Sequence, residues 1–245
     1  MLRVSGLITE LARLSGRDSA IIERAARAGM KAGLVTTGAR GRHAPFATFD
    51  DATALIAWLA SDVLAQDAPE AMTEMRKLVF GGGNSLSDAL AEHDKETGEQ
   101  IRHSPIAGLP PVIWENTDTN APPARLWDLI SNIIEWSYSC RITGESASDY
   151  VHEGSRLEIG SDFWFAEIHL YFPNFYDDGT VDVSIQYERN PDEWMKDSER
   201  TDLKRSEYID LRSNLEFPAR YLMRKKIEIS IAALIAIGEA FAPKE

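Results

Sequence analysis

Arg40 and Arg42 stand two residues apart in GARGRHAP, with His43 beside them and Gly38 and Gly41 around them. Glycines of this spacing favour a tight turn, so two guanidiniums and a titratable imidazole would project together from a loop tip. A guanidinium is planar, permanently charged and carries forked donors that match phosphate oxygens and the O6/N7 edge of guanine. A second group of cations precedes the loop. Arg17, Arg24, Arg27 and Lys31, with the hydroxyl of Ser19, recur at spacings that can lie along one side of a helix. Arg17, Ser19, Arg24, Arg27, Lys31, Arg40, Arg42 and His43 therefore form a candidate DNA-binding set, whose chemistry is phosphate and base-edge recognition.

The motifs of catalysis are missing. The chain has no His-Glu-x-x-His, no Gly-x-Ser-x-Gly and no zinc-type Cys/His spacing, and no Lys-Ser/Thr pair follows the glycines of GGGNS at 81–85. Those glycines read as a hinge or helix terminus. Glu167 and His169 would share one face of a strand and could offer two metal ligands, with His152, Glu153, Glu158 and Asp162 near in sequence. Polar residues alternating outward on a half-exposed strand account for them equally well. The expectation is a non-enzyme with no metal and no cofactor. The single cysteine, Cys140, is expected as a packing residue.

The elements that must carry the cations can be read from periodicity. Leu7, Ile8, Leu11 and Leu14 recur at three- and four-residue spacing from Val4, predicting a short helix that Gly16 ends. Asp18 or Ser19 caps a second helix in which Ile21, Ile22, Ala25, Ala28 and Met30 alternate with charged residues up to Gly33. Leu34 to Thr37 and Phe46 to Phe49 are strand-like runs on either side of the Arg-x-Arg loop. Asp50 or Asp51 then caps a third helix, Ala52 to Leu64. The order is helix, glycine turn, helix and wing, a winged helix-turn-helix.

On ITELARLSG, AGLVTTGARGRHAP and FDDATALIAWLA, all within residues 1–61, the sequence resembles the winged helix-turn-helix of MerR-type regulators. It is also similar to DNA-binding modules of small phage- and prophage-derived bacterial regulators. The resemblance implies a groove-binding architecture. Glu23-Arg24-Ala25-Ala26 departs from that family's usual Arg followed by aromatics, so its DNA-distorting mechanism is not carried over.

Charge divides the chain as sharply as pattern does. Residues 1–50 hold eight Arg and Lys against four Asp and Glu, a net of +4, leaving 18 against 35, or −17, for the remaining 195 of 245 residues. An acidic body would repel DNA and confine contact to the basic face. Only Phe46, Phe49, Trp58 and Phe80 of the 22 aromatics precede residue 111. The expected division is therefore a winged helix-turn-helix over 1–66, a helical connector and linker over 67–112, and an acidic, aromatic-rich module over 113–245.

In the connector, Met72, Met75, Leu78 and Val79 predict a fourth helix over 67–80, residues 86–99 a short solvated helix, and HSPIAGLPP an extended linker. In the last module, Leu126, Trp127, Ile130, Ile133, Ile134 and Trp136 lie on the apolar face of a helix over 121–139. Strands are predicted at 156–159, 163–172 and 181–187, with Asp178-Gly179 as a hairpin turn. Pro191 to Arg205 reads as a charged surface excursion. Leu222 to Ile237 reads as one nearly continuous apolar helix, buried in this module or in a dimer interface. Phe163, Trp164, Phe165, Tyr171, Phe172, Phe175, Tyr176, Tyr187 and Trp194 have two readings. One is a core and dimer surface; the other is an effector pocket for a cationic or planar ligand.

The fold class expected is α+β: mostly helical at the N-terminus, with an antiparallel sheet and packed helices at the C-terminus. A composition of 44% hydrophobic and 27% charged residues excludes disorder, collagen and disulfide scaffolds. No apolar run approaches the roughly 18 residues of a membrane span, and the N-terminus lacks the form of a secretory leader, so a cytoplasmic protein is expected. The functional expectation is a sequence-specific transcriptional regulator binding double-stranded DNA. It would be a homodimer, because a single head of this size contacts too few base pairs for genomic specificity. The last module would serve dimerisation, a small effector or a protein partner. A phage-type interaction factor, an inhibitor or adaptor reusing the winged fold, is the alternative.

Overall fold

A computed structural model describes residues 2–37, 46–61, 63–83, 123–152, 154–160, 163, 165–173, 180–189 and 226–243. The expected α+β class is what these residues form: six α-helices and one five-stranded antiparallel sheet, with the helices leading. Helices α1 (Val4–Ser15) and α2 (Ser19–Lys31) follow the predicted periods closely. Leu7, Ile8 and Leu11 are buried on α1, and Gly16 stops it at φ +67°, a left-handed conformation that costs glycine nothing. Asp18 caps α2, accepting the Ala20 N–H at 2.7 Å.

The expected wing strands take a different form. Among the described residues Leu34 to Thr37 make no ladder, and Phe46 makes one antiparallel bridge to Arg3, next to which the Ala47 N–H donates to Leu2 O. Thr48 and Phe49 leave the strand pattern because they open α3 (Phe49–Leu59). Thr48, not Asp50 or Asp51, is the N-cap. Its hydroxyl accepts the Asp51 N–H at 3.1 Å while the Asp51 carboxylate accepts the Thr48 N–H at 2.8 Å. This reciprocal pair outcompetes a strand at 46–49.

The predicted fourth helix is also shorter. After a turn of 3₁₀-helix at Ala65–Asp67, α4 spans Ala68–Met75, and the chain then becomes strand β1 (Leu78–Gly83). Gly81 to Gly83 are thus strand residues, with an irregularity between Phe80 and Gly82, rather than a hinge. A side chain at Gly81 would come within 2.8 Å of Glu188 Cγ on the neighbouring strand. The 86–99 helix and the 103–111 linker lie outside the described residues.

Helix α5 (Leu126–Thr143) starts and ends about a turn later than expected, held at its end by Gly144 at φ +82°. Strands β2 (Arg156–Gly160), β3 (Phe165–Pro173) and β4 (Thr180–Arg189) match the alternation. β3 and β4 pair from Phe165 opposite Glu188 to Pro173 opposite Thr180, as the predicted hairpin requires; its turn, 174–179, lies outside the described residues. So does the 191–205 excursion. The continuous C-terminal helix is corrected among the described residues: Lys226–Ser230 is strand β5 and Ile231–Phe241 is helix α6, while 222–225 lie outside them. KIEIS alternates with period two, which suits a strand with one face on a core.

The sheet order is β1-β4-β3-β2-β5. Leu157, Ile159, Ala166, Ile168, Leu170, Ile185 and Tyr187 are buried, and they join one core with α5, α6 and the N-terminal helices. Where α6 crosses α5, Gly238 has no room for a side chain: a Cβ there would lie 2.3 Å from Ile134 O and 2.7 Å from Ser137 Cβ. The buried Ser137 hydroxyl donates to Ile235 O at 2.7 Å, satisfying both groups. The N-terminal helices dock here too. The Phe49 ring lies 5.0 Å from that of Phe241 and 5.6 Å from that of Tyr138.

Candidate nucleic-acid interface

Helix α2 has two sharply different sides. Ile22, Ala25, Ala26 and Gly29 are buried, and a Cβ on Gly29 would meet Val35 Cγ2 at 2.7 Å and the Met72 methyl at 3.1 Å. The rotation of α2 is fixed by that contact. Ser19, Ala20, Glu23, Arg24, Arg27 and Lys31 are accordingly exposed, so four of the sequence-derived candidates share one solvent face. Arg24 Nε is 3.4 Å from Ala20 O, a contact along the helix itself. Arg27 pairs with Glu23 at 2.6 Å, but both side chains are at least half exposed. A surface pair of this kind is worth little and would yield to a phosphate.

Arg17 stands apart from this face. Its guanidinium lies 5.4 Å from the centre of the buried Trp58 ring, a cation–π contact that ties the turn between α1 and α2 to α3. On α1, Arg13 is engaged by Glu10, whose hydrogen bond holds the guanidinium pKa above its ordinary value. Arg40, Arg42 and His43 lie outside the described residues. The described chain on either side of them is joined through one side chain. The Asp51 carboxylate, 2% exposed, accepts the Thr36 N–H at 2.6 Å through one oxygen and the Thr48 N–H at 2.8 Å through the other. The residues that precede and follow segment 38–45, Thr36 and Thr48, thus meet on one side chain. Sequence periodicity gives Asp51 only as a candidate cap; its bond to Thr36 depends on the path of the chain between.

The C-terminal sheet carries a polar face. Glu167 accepts from Ser184 at 2.8 Å and from Gln186 at 3.3 Å, with His169 Nε2 3.7 Å away. No group of three potential metal ligands occurs among the described residues. A cavity of about 100 Å³ lies here, lined by Gly81, Phe165, Glu167, Gln186 and Glu188. Small-molecule sites usually measure about 300 Å³ or more, so this one suits a few waters. Glu158 accepts from Lys226 at 2.8 Å and Arg156 at 3.0 Å, and these bonds hold its carboxyl below the usual carboxylate range. Of the aromatic group, Phe163 and Tyr187 are core residues and Phe165 and Tyr171 are half-buried. Trp164, Phe175, Tyr176 and Trp194 lie outside the described residues.

Cys140 is buried, as expected, and burial pushes its thiol pKa up. Among the described residues no helix is long and apolar enough to cross a membrane. No family model matches the chain, and no significant match is found among curated proteins or solved structures.

Proposed function

We propose that this protein is a sequence-specific DNA-binding regulator that acts as a homodimer. In this reading α2 enters the major groove and the loop at 38–45 reaches phosphates or the minor groove. The observation that carries it is the outward face of α2: Arg24, Arg27 and Lys31 lie on the side opposite a packed seam of Ile22, Ala25 and Gly29. A helix held this firmly by its apolar side presents its cations in a fixed register, as base-edge contact demands. The Asp51 bonds to Thr36 and Thr48 support the loop's part by fixing both of its ends. The acidic remainder of the chain would limit non-specific coating.

The test is selection of bound fragments from sheared genomic DNA of the source organism at two salt concentrations. Wild type is compared with Arg24→Ala/Lys31→Ala and with Arg40→Ala/Arg42→Ala. A shared, roughly palindromic motif enriched by wild type and lost in both variants, with affinity falling steeply in salt, is the expected result. Absence of enrichment at low salt would refute the reading and turn attention to protein partners.

A further inference from the structure

Strand β5 is an edge of the sheet, paired among the described residues with β2 alone. Its residues alternate between two faces: Lys226, Glu228 and Ser230 are exposed, while Ile227 and Ile229 are half-buried against the core. The register places Glu228 directly opposite Glu158, which is itself opposite Glu167 on β3. Glu158 is satisfied by Arg156 and by Lys226, whose side chain remains 57% exposed. Glu228 has no cation partner among the described residues and faces a like charge, an arrangement that is destabilising when strands are directly opposed.

We propose that β5 pairs antiparallel with β5 of a second copy of this chain, about a two-fold axis through Ile227, so that the two sheets become one. A symmetric antiparallel pairing must keep the two faces distinct, which leaves few registers. Centred on Glu228, it would oppose two carboxylates. Centred on Ile227, it sets Lys226 against the partner's Glu228, and by symmetry Glu228 against the partner's Lys226. The orphan carboxylate of each copy then gains a cation, and Ile227 meets the partner's Ile227 on the core side. Isologous pairing of this kind closes the assembly at two copies.

Within β5 this register pairs three residues, Lys226, Ile227 and Glu228, which bury less than the roughly 1,000 Å² that a stable interface needs, so neighbouring surface must contribute. Helix α6 leaves the same edge directly from Ser230, with Ala232 exposed and Ala233 and Ala236 half-buried. Small side chains there leave room for a second copy to approach. The assignment rests on the homodimeric reading above. Oligomeric state is therefore measured without DNA, so that the interface and DNA recognition can fail separately.

Sedimentation equilibrium of the full chain over a concentration series decides it, with circular dichroism confirming each variant's fold. Glu228→Lys would set Lys226 against the partner's new cation while improving the contact with Glu158 inside each copy. It should therefore fold normally and raise the dimer dissociation constant at least about tenfold. Lys226→Glu/Glu228→Lys exchanges the charges and should restore association to within a few-fold of wild type. A monomeric wild type, a Glu228→Lys protein that dimerises as tightly as wild type, or a double variant that stays dissociated would overturn the proposal.

Discussion

The Trp127 indole N–H donates to the Asp50 carboxylate at 3.0 Å across 77 positions of sequence, joining the start of α5 to the first turn of α3. A face of the same ring carries the Arg76 guanidinium, 4.1 Å from its centre. One side chain thus holds the N-terminal helices, the approach to β1 and helix α5 together.

Trp127→Phe keeps an aromatic face for Arg76 but removes the only donor directed at Asp50 from that ring. Loss of one charge-assisted hydrogen bond and a weaker cation–π contact should lower stability by about 1.5–3 kcal/mol. Urea unfolding should show a lower midpoint with an unchanged slope; an unchanged midpoint would show that the contact is not formed in solution.

Asp51→Ala leaves the amides of Thr36 and Thr48 without their acceptor and breaks the reciprocal cap of α3. A combined cost of roughly 2–4 kcal/mol follows from a lost cap and an orphaned donor. Amide exchange at Thr36 and Thr48 should accelerate more than exchange in α5. Uniform acceleration across the protein would argue against a local staple.

Gly238→Ala forces a methyl against Ile134 O and Ser137 where α6 crosses α5. The backbones must separate, and overpacking of this kind costs about 1–3 kcal/mol or more. A useful contrast is Ala232→Gly on the exposed side of α6, which should cost about 1 kcal/mol through helix propensity alone. Thermal unfolding that ranks Ala232→Gly as the worse variant would contradict the close crossing.

Glu158 makes acid stability depend on two cations. Its folded carboxyl pKa lies below the ordinary value because Lys226 and then Arg156 bond the charged form. The unfolded chain therefore takes up the proton first as pH falls. The stabilisation is complete above the ordinary carboxyl range of about 4.3 and fades as pH drops through the lower folded pKa. Glu158→Gln should flatten this part of the stability profile, most clearly at low salt. Identical acid limbs for both proteins would rule out the contribution.

Much of the fold follows from local pattern, because helix and strand periods are properties of short windows. Leu7, Ile8 and Leu11 define α1, Gly16 ends it, Ile22, Ala25 and Gly29 turn the cations of α2 outward, and the alternation in 156–159 and 181–187 marks β2 and β4. What these windows leave open is the state of short apolar runs. LVFGGG extends a helical pattern but becomes β1 because β4 offers it a ladder, and KIEIS looks like the front of an apolar helix but becomes β5 against β2. Phe46 to Phe49 reads as strand, yet Asp51 draws Thr48 into a cap.

The candidate interface divides the same way. That Ser19, Arg24, Arg27 and Lys31 share an open face was legible in helical spacing. That Arg17 lies over Trp58, that one carboxylate bonds both Thr36 and Thr48, and that Glu228 faces Glu158 were not. By itself the sequence determined which residues seek water and with what local period; tertiary structure decided which distant backbone groups and charges meet. Hydrogen-bond ladders and ion pairs are completed by partners far along the chain, and no local window contains them.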